Sequence, residues 1–336
     1  MTAEIITPGI LTIVVDSGRK GFRKLGIPSS GAMDSLAYKT ANILVGNDEN
    51  SAVLEFSLTA PSMRFLSDSV IAITGAEFSP EIDGNPVPMW ESIFIKKGSV
   101  LSFGMLKSGC RGYLSFAGGI DVPVVMNSKT TFLRAGIGGY EGRALKVSDI
   151  ITTSAPSKTL RELIGNRIKQ VYSYTGEYTV RVVLGPQDDF FTNSGIETFL
   201  NSSYQVTNQF DRMGYRLNGP QIETKSGSDI ISEGIVTGSI QIPGDGNPII
   251  VMEDGQTAGG YAKIATVISS DLHIVAQSKT GDIIRFEGIS IEEAHAILVQ
   301  NTNSLVNAIE HHPKNRHNFL VKVNGKPYDI VVEEVF

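Results

Sequence analysis

Cysteine occurs once in the 336 residues, at Cys110. No internal disulfide can form, which fits a reducing compartment. The five histidines share no zinc spacing with each other or with Cys110, so no metal site is expected. Positive charge is also scarce: 29 Lys and Arg stand against 35 Asp and Glu, for a formal charge of −6. With no basic block, nucleic acid is not an expected partner, because phosphate recognition rests on Lys and Arg. No apolar run approaches ~18 residues, and no charged-then-apolar leader opens the chain. The expectation is a cytoplasmic protein that neither spans nor binds a membrane. Catalytic signatures are thin as well. There is no phosphate-binding P-loop and no nucleophile elbow, and GIGGYEG at 136–142 lacks the dinucleotide pattern. The chemistry available is that of Arg, Lys, Asp, Tyr, side-chain amides and backbone N–H groups. These suit holding or polarising a carboxylate, amide or phosphate.

Glycine, by contrast, is abundant, at 35 residues, among runs rich in Ile, Val, Thr and Ser. This composition predicts a mainly β fold with a few helices, and the length suits two domains. Asp34 is placed to cap a helix carrying Leu36, Ala37, Ala41, Leu44 and Val45 at helical spacing, with Gly46-Asn47 as its stop. From Ala52 to Phe103 short apolar runs alternate with turn signals such as Asp83-Gly84-Asn85. Residues 156–178 are polar and show no strand alternation, which reads as a linker or surface helix. It separates a first domain, 1–155, from a second, 179–336. In the second, Asp188 or Asp189 is placed to cap a short helix through Ile196, Phe199 and Leu200. Ser290 and Glu293 form a capping-box pattern for a long helix over 290–312, ending at His311 and His312. Asn324-Gly325 then signals a terminal hairpin.

The densest polar stretch runs from Glu233 to Ile268. SIQIP, GDGN and PIIVM read as strand, tight turn and strand. EDGQTAGGYAK reads as a structured loop, with a short helix expected in 261–268. Loops on a rigid scaffold are where binding groups collect. A second signal is a five-residue echo: Arg19-Lys20-Gly21-Phe22-Arg23 matches Arg212-Met213-Gly214-Tyr215-Arg216. If the halves are copies, the two segments form equivalent loops on one face, each carrying two arginines.

Several long motifs occur in one order: DSGRKGFRKLGIPSSGAMD, ANILVGN, GPQDDFF, DRMGYRLNGP, SEGIVTGSIQIPGDGNPII and EDGQTAGGYAKIATVI. Over roughly residues 5–310 they resemble the carboxyltransferase-domain family. That family includes the C-type subunit of 5-oxoprolinase, KipA-type proteins and the carboxyltransferase domain of urea carboxylase. The resemblance implies two cyclophilin-like β-barrel domains. It also implies ATP-dependent opening of 5-oxo-L-proline to L-glutamate, in a 5-oxoprolinase complex with two partners, an A-type subunit and a KipI-like B-type subunit. ATP, with Mg2+, would act in that complex. Two other activities occur in the family: carboxyl transfer to urea or another amide, and non-catalytic antagonism of a KipI-like kinase inhibitor. The final stretch, NFLVKVNGKPYDIVVEEVF, is similar to the opening strands of a biotin carrier. No Met-Lys-Met biotinylation site is present, so no covalent biotin is expected on this chain.

Carried onto this sequence, the resemblance makes 253–263 the candidate site. Lys263 would stabilise developing negative charge and Asp254 would handle the proton. Gln241, Gln256 and Thr257 would orient a small amide, with Tyr261 as a wall and Gly259-Gly260 bringing backbone donors close. Arg212 and Arg216, with Arg19 and Arg23 from the other half, would take a carboxylate or phosphate.

Overall fold

In a computed structural model, residues 1–168, 173–307, 309–311, 316–323 and 326–333 are described. The chain is mainly β, as its composition requires. In the first half, strands build a six-stranded and a five-stranded sheet. Ile5, Met63, Phe65 and Leu101 from the first sheet share one core with Leu54, Phe56, Ile71 and Leu114 from the second. The helix Ser35–Leu44 lies against the five-stranded sheet, with Ala37, Tyr38, Ala41 and Leu44 buried. Asp34 caps it, accepting from the Ala37 N–H at 2.9 Å; Gly46, at φ 71°, follows its end.

In the second half, seven strands close a barrel. Six of the seven contacts around it are antiparallel, and the seam between Glu177–Leu184 and Ile283–Gly288 is parallel. Alternation fills the interior in the expected way: Tyr178, Val180 and Val182 point inward from one strand, Ile240 and Ile242 from another. Phe199 stacks on Phe286 with centroids 4.5 Å apart. Residues 156–178 include a single helical turn, Leu160–Leu163, and a short strand, Asn166–Ile168, which pairs with Ile309–His311.

Several local expectations need correction. Residues 263–267 form a strand, not a helix; Ile264 points into the core, and the strand is paired on both sides. Within EDGQTAGGYAK, Ala258–Tyr261 is also a strand. The helix Asn193–Asn201 is capped by Thr192, whose hydroxyl accepts from Gly195, rather than by Asp188 or Asp189, which lie in a separate 3-10 turn. The long helix covers Ile291–Asn307, begun by the Ser290–Glu293 capping box. His311 lies in a strand instead, and His312 is outside the described residues. The terminal strands Arg316–Val323 and Lys326–Glu333 pair as a hairpin, with Asn324-Gly325 outside the described residues. Among the described residues no helix is long and apolar enough to cross a membrane.

Two buried arginines cross between the halves in opposite directions. Arg111, from the first half, donates to the Tyr215 hydroxyl and the Ala276 carbonyl of the second. Arg212, from the second, donates to Glu55 and to the carbonyls of Ser30 and Gly31. Beside them the Gln277 amide accepts from the backbone N–H of Cys110 and Arg111, and donates to the Arg111 carbonyl and to Asp34. Met33 of the first half belongs to the barrel's own core. The segment 16–34 is thereby held against the barrel.

Candidate active site on the barrel wall

Because side chains alternate along a strand, Ile240 and Ile242 facing inward put Gln241 on the outer wall. Ala262 and Ile264 do the same for Lys263. Gln241 and Lys263 are cross-strand partners, so an amide and an ammonium stand side by side. A two-stranded ribbon lies next to them, formed by Asp229–Gly234 and Ala258–Tyr261.

Lys263 is held from two directions. Gln187 grips its backbone, accepting from the Lys263 N–H and donating to its carbonyl, both at 3.1 Å. Its Nζ pairs with the Glu233 carboxylate on the ribbon, which also accepts from the Gln187 side chain. The contacts with Lys263 and then Gln187 keep the Glu233 carboxyl below the usual carboxylate range.

A cavity of about 260 Å³ opens on the Gln241 side, lined by Gln241, Gln256, Tyr261 and Arg216 together with Asp211 and Met213; Lys263 and Glu233 are not part of its lining. Gln241 donates to the Tyr261 carbonyl at 3.3 Å. A Cβ added at Gly259 would lie 2.8 Å from the Gln241 Nε2 and 3.0 Å from the Gln256 Nε2. The Ile235 Cδ1 would lie nearer still, at 2.3 Å, so the glycine is what lets the Ile235 side chain and the two amides pack against this backbone. Two adjacent amides supply donors and acceptors together, which is the complement of an amide or urea edge. Arg216 adds a half-buried guanidinium, paired with Asp245.

The other expected site residues sort differently. Asp254 is not available for proton transfer: it is buried, and both carboxylate oxygens accept from Arg212 at 3.1 Å. Arg212 is equally committed. Burial opposes its charge, but Asp254 and Glu55 outweigh that and hold its pKa above the ordinary value. Arg19 is fully buried and donates to the Thr130 carbonyl; burial lowers its pKa against the pull of Asp16 and Asp254. Neither arginine can reach a substrate, so both are removed from the binding set. Arg23 crosses from the first half to the Ile235 carbonyl, close to the ribbon. Thr257 contributes its backbone carbonyl to Ile235 and does not line the cavity. A side chain at Gly260 would meet only contacts of 3.4 Å, so close approach does not require glycine there.

The five-residue echo does not build equivalent loops. Phe22 and Arg23 enter a 3-10 turn, whereas Gly214, Tyr215 and Arg216 lie in a barrel strand.

Sequence reasoning missed Glu233 and Gln187 as parts of the site. Each lies inside a motif already singled out, SEGIVTG and GPQDDFF. Nothing in the sequence shows, however, that 46 residues of separation close into one contact.

Known proteins resemble this chain in sequence and in fold. Residues 25–288 match the model of the carboxyltransferase domain, subdomains A and B. The C-type subunit of 5-oxoprolinase from Escherichia coli is 39% identical over 291 residues, covering 87% of this chain and 92% of that protein. The protein of the same name from Haemophilus influenzae is 36% identical over 288 residues, covering 86% and 91%. Among solved structures, the K. lactis urea amidolyase superposes with a TM-score of 0.84 at 32% identity. That match spans 93% of this chain but only 20% of the amidolyase.

Proposed function

The chain belongs to the carboxyltransferase-domain family, subdomains A and B, and from that membership we propose that it is the C-type subunit of an ATP-dependent 5-oxoprolinase. In this reading it acts in the cytoplasm with the A-type and B-type subunits to open 5-oxo-L-proline to L-glutamate, and it is inactive alone. One observation carries the choice within the family. Relatives that bear the name of the 5-oxoprolinase C-type subunit align over more than nine-tenths of their own length, whereas the urea amidolyase aligns over a fifth of its length.

The substrate is a lactam, whose C=O and N–H lie on one edge. Opening it requires stabilisation of charge on the oxygen and proton management at the nitrogen. Lys263, the cross-strand neighbour of Gln241, supplies positive charge to a substrate oxygen. Gln241 and Gln256 meet the amide edge in the cavity, Tyr261 walls it, and Arg216 takes a carboxylate or phosphate. In this reading ATP, with Mg2+, is consumed by the three-subunit complex.

The test is ATP-dependent glutamate release by the reconstituted three-component complex, with and without this chain. Activity that persists without the chain refutes the assignment. Lys263→Ala should lower kcat/KM on the order of 10²–10³-fold while the variant stays folded; full turnover by that variant removes Lys263 from the site.

The structural likeness to urea amidolyase supports a second reading, carboxyl transfer to an amide nitrogen. Carboxybiotin-dependent carboxylation of urea by this chain, with no glutamate release in the complex, would favour it.

A further inference from the structure

The ion pair at the site is lopsided. The Lys263 side chain is 3% exposed, whereas that of Glu233 is 46% exposed. Among the described residues Glu233 is the sole hydrogen-bond partner of the Lys263 ammonium, so the remaining N–H donors face no protein acceptor. A buried ammonium needs a counter-charge, and the half-exposed Glu233 supplies it from the solvent side.

Glu233 also rides on an exposed end of the ribbon, beyond Ile230, which packs on the barrel core, and Ser228, whose carbonyl accepts from the Ala262 N–H at 2.7 Å. Among the described residues, Asp229–Gly234 pairs with Ala258–Tyr261 and with no barrel strand. Ile231 is 94% exposed, and Ser232, Glu233 and Gly234 are exposed as well. The register slips between Asp229 and Glu233, a bulge of the kind that redirects side chains next to sites. The clamp on the lysine backbone, in contrast, belongs to Gln187 and not to the ribbon. Lys263 therefore keeps its place when Glu233 leaves.

We propose that Glu233 is the resident occupant of an anion subsite on Lys263: a small ligand bearing a negatively charged oxygen enters by displacing the Glu233 carboxylate and moving the exposed segment 231–234 outward. The proposal rests on the reading of Lys263 as the substrate-facing group. It explains why a buried charge is paired with a half-exposed one on a separate ribbon. It also makes the ligand's chemical class a selection rule, because a neutral ligand cannot replace the carboxylate as counter-charge. Apparent affinity is then the intrinsic affinity reduced by the fraction of molecules with the latch open.

Two measurements test it. The first is hydrogen exchange of the ribbon amides in the full chain alone, with acetate and acetamide as probes at matched ionic strength. Exchange in 229–234 and 258–261 should be roughly three- to tenfold faster in Glu233→Gln than in wild type. Acetate should accelerate it in wild type, and acetamide should not. Equal exchange in the two proteins, or equal effects of the two probes, overturns the latch. The second is steady-state kinetics of the reconstituted complex. Glu233→Gln should lower KM for 5-oxo-L-proline roughly three- to tenfold, and Glu233→Asp should fall between it and wild type. A loss of kcat without a fall in KM means that Glu233 positions Lys263 during turnover, which also overturns the proposal. If the wild-type complex releases no glutamate while acetate still opens the ribbon, the latch stands and the oxoprolinase assignment falls.

Discussion

Arg212 separates two accounts of the molecule. By residue type and spacing it is a substrate-carboxylate ligand; by geometry it is an internal pin. Its guanidinium makes five hydrogen bonds: to Glu55, twice to Asp254, and to the carbonyls of Ser30 and Gly31. The side chains of Arg212, Glu55 and Asp254 are exposed by only 5%, 2% and 6%. Replacing the arginine with methionine keeps most of the volume but leaves two buried carboxylates without a cation. Removing one partner of such a pair costs about 3–5 kcal/mol, which for a chain of this length corresponds to roughly 4–7 °C in the unfolding midpoint. Thermal unfolding followed by circular dichroism reads this directly. Neutralising the orphaned acids, with Glu55→Gln and Asp254→Asn added to Arg212→Met, should recover much of the loss, because the three residues act as one unit. A midpoint within about 1 °C of wild type, together with a tenfold rise in KM for 5-oxo-L-proline in the complex, would refute the pin and restore the substrate role.

Two further outcomes follow from the site's construction. Gly259→Ala should reduce kcat/KM on the order of ten- to a hundredfold, because the new methyl group must displace the Ile235 side chain first and the Gln241 and Gln256 amides with it. Its stability cost should stay at about 1–3 kcal/mol, and unchanged kinetics would mean that the amides do not meet the substrate. Glu253→Gln should change how stability varies with pH. Burial raises the Glu253 pKa, although its bonds from Ser29 at 2.5 Å and Gly31 at 3.3 Å oppose this. A raised carboxyl pKa means that the folded chain holds its proton longer, so wild-type stability falls as pH rises through and beyond the ordinary glutamate value of about 4.3. The gain of the glutamine variant should therefore be small near that pH and grow toward neutrality in urea titrations; a gain that is constant with pH contradicts the assignment.

What could be read from the sequence was local or distributed along the chain. The cap at Asp34, the hairpin from SIQIP to IIVM and the capping box at Ser290 are short-range patterns, and each formed as its chemistry dictates. The stretch around Lys263 was recognisable because its polar groups are concentrated in one window. The roles of the arginines were not legible, since burial decides them and burial is a property of the assembled core. Arg212 and Arg216 are close neighbours along the chain, yet one is sealed between the halves and the other lines a cavity. Lys263–Val267 was misread as helix because Ala262, Ala265 and the glycines before them weaken the strand alternation. Two barrel neighbours supplied the hydrogen bonds that settled it.

The crossed arginines have a consequence for motion. Two β domains joined through a polar segment would ordinarily be expected to hinge, with substrate entering as the cleft opens. Here each half holds a cation seated in the other, and the Gln277 amide substitutes for strand pairing across the boundary. A hinge would take Arg111 from its Tyr215 and Ala276 acceptors and Arg212 from Glu55, leaving Arg212 with Asp254 alone, and would free a set of backbone groups at the same time. Separating the halves therefore exposes buried polar groups on both sides of the boundary, which opposes opening there.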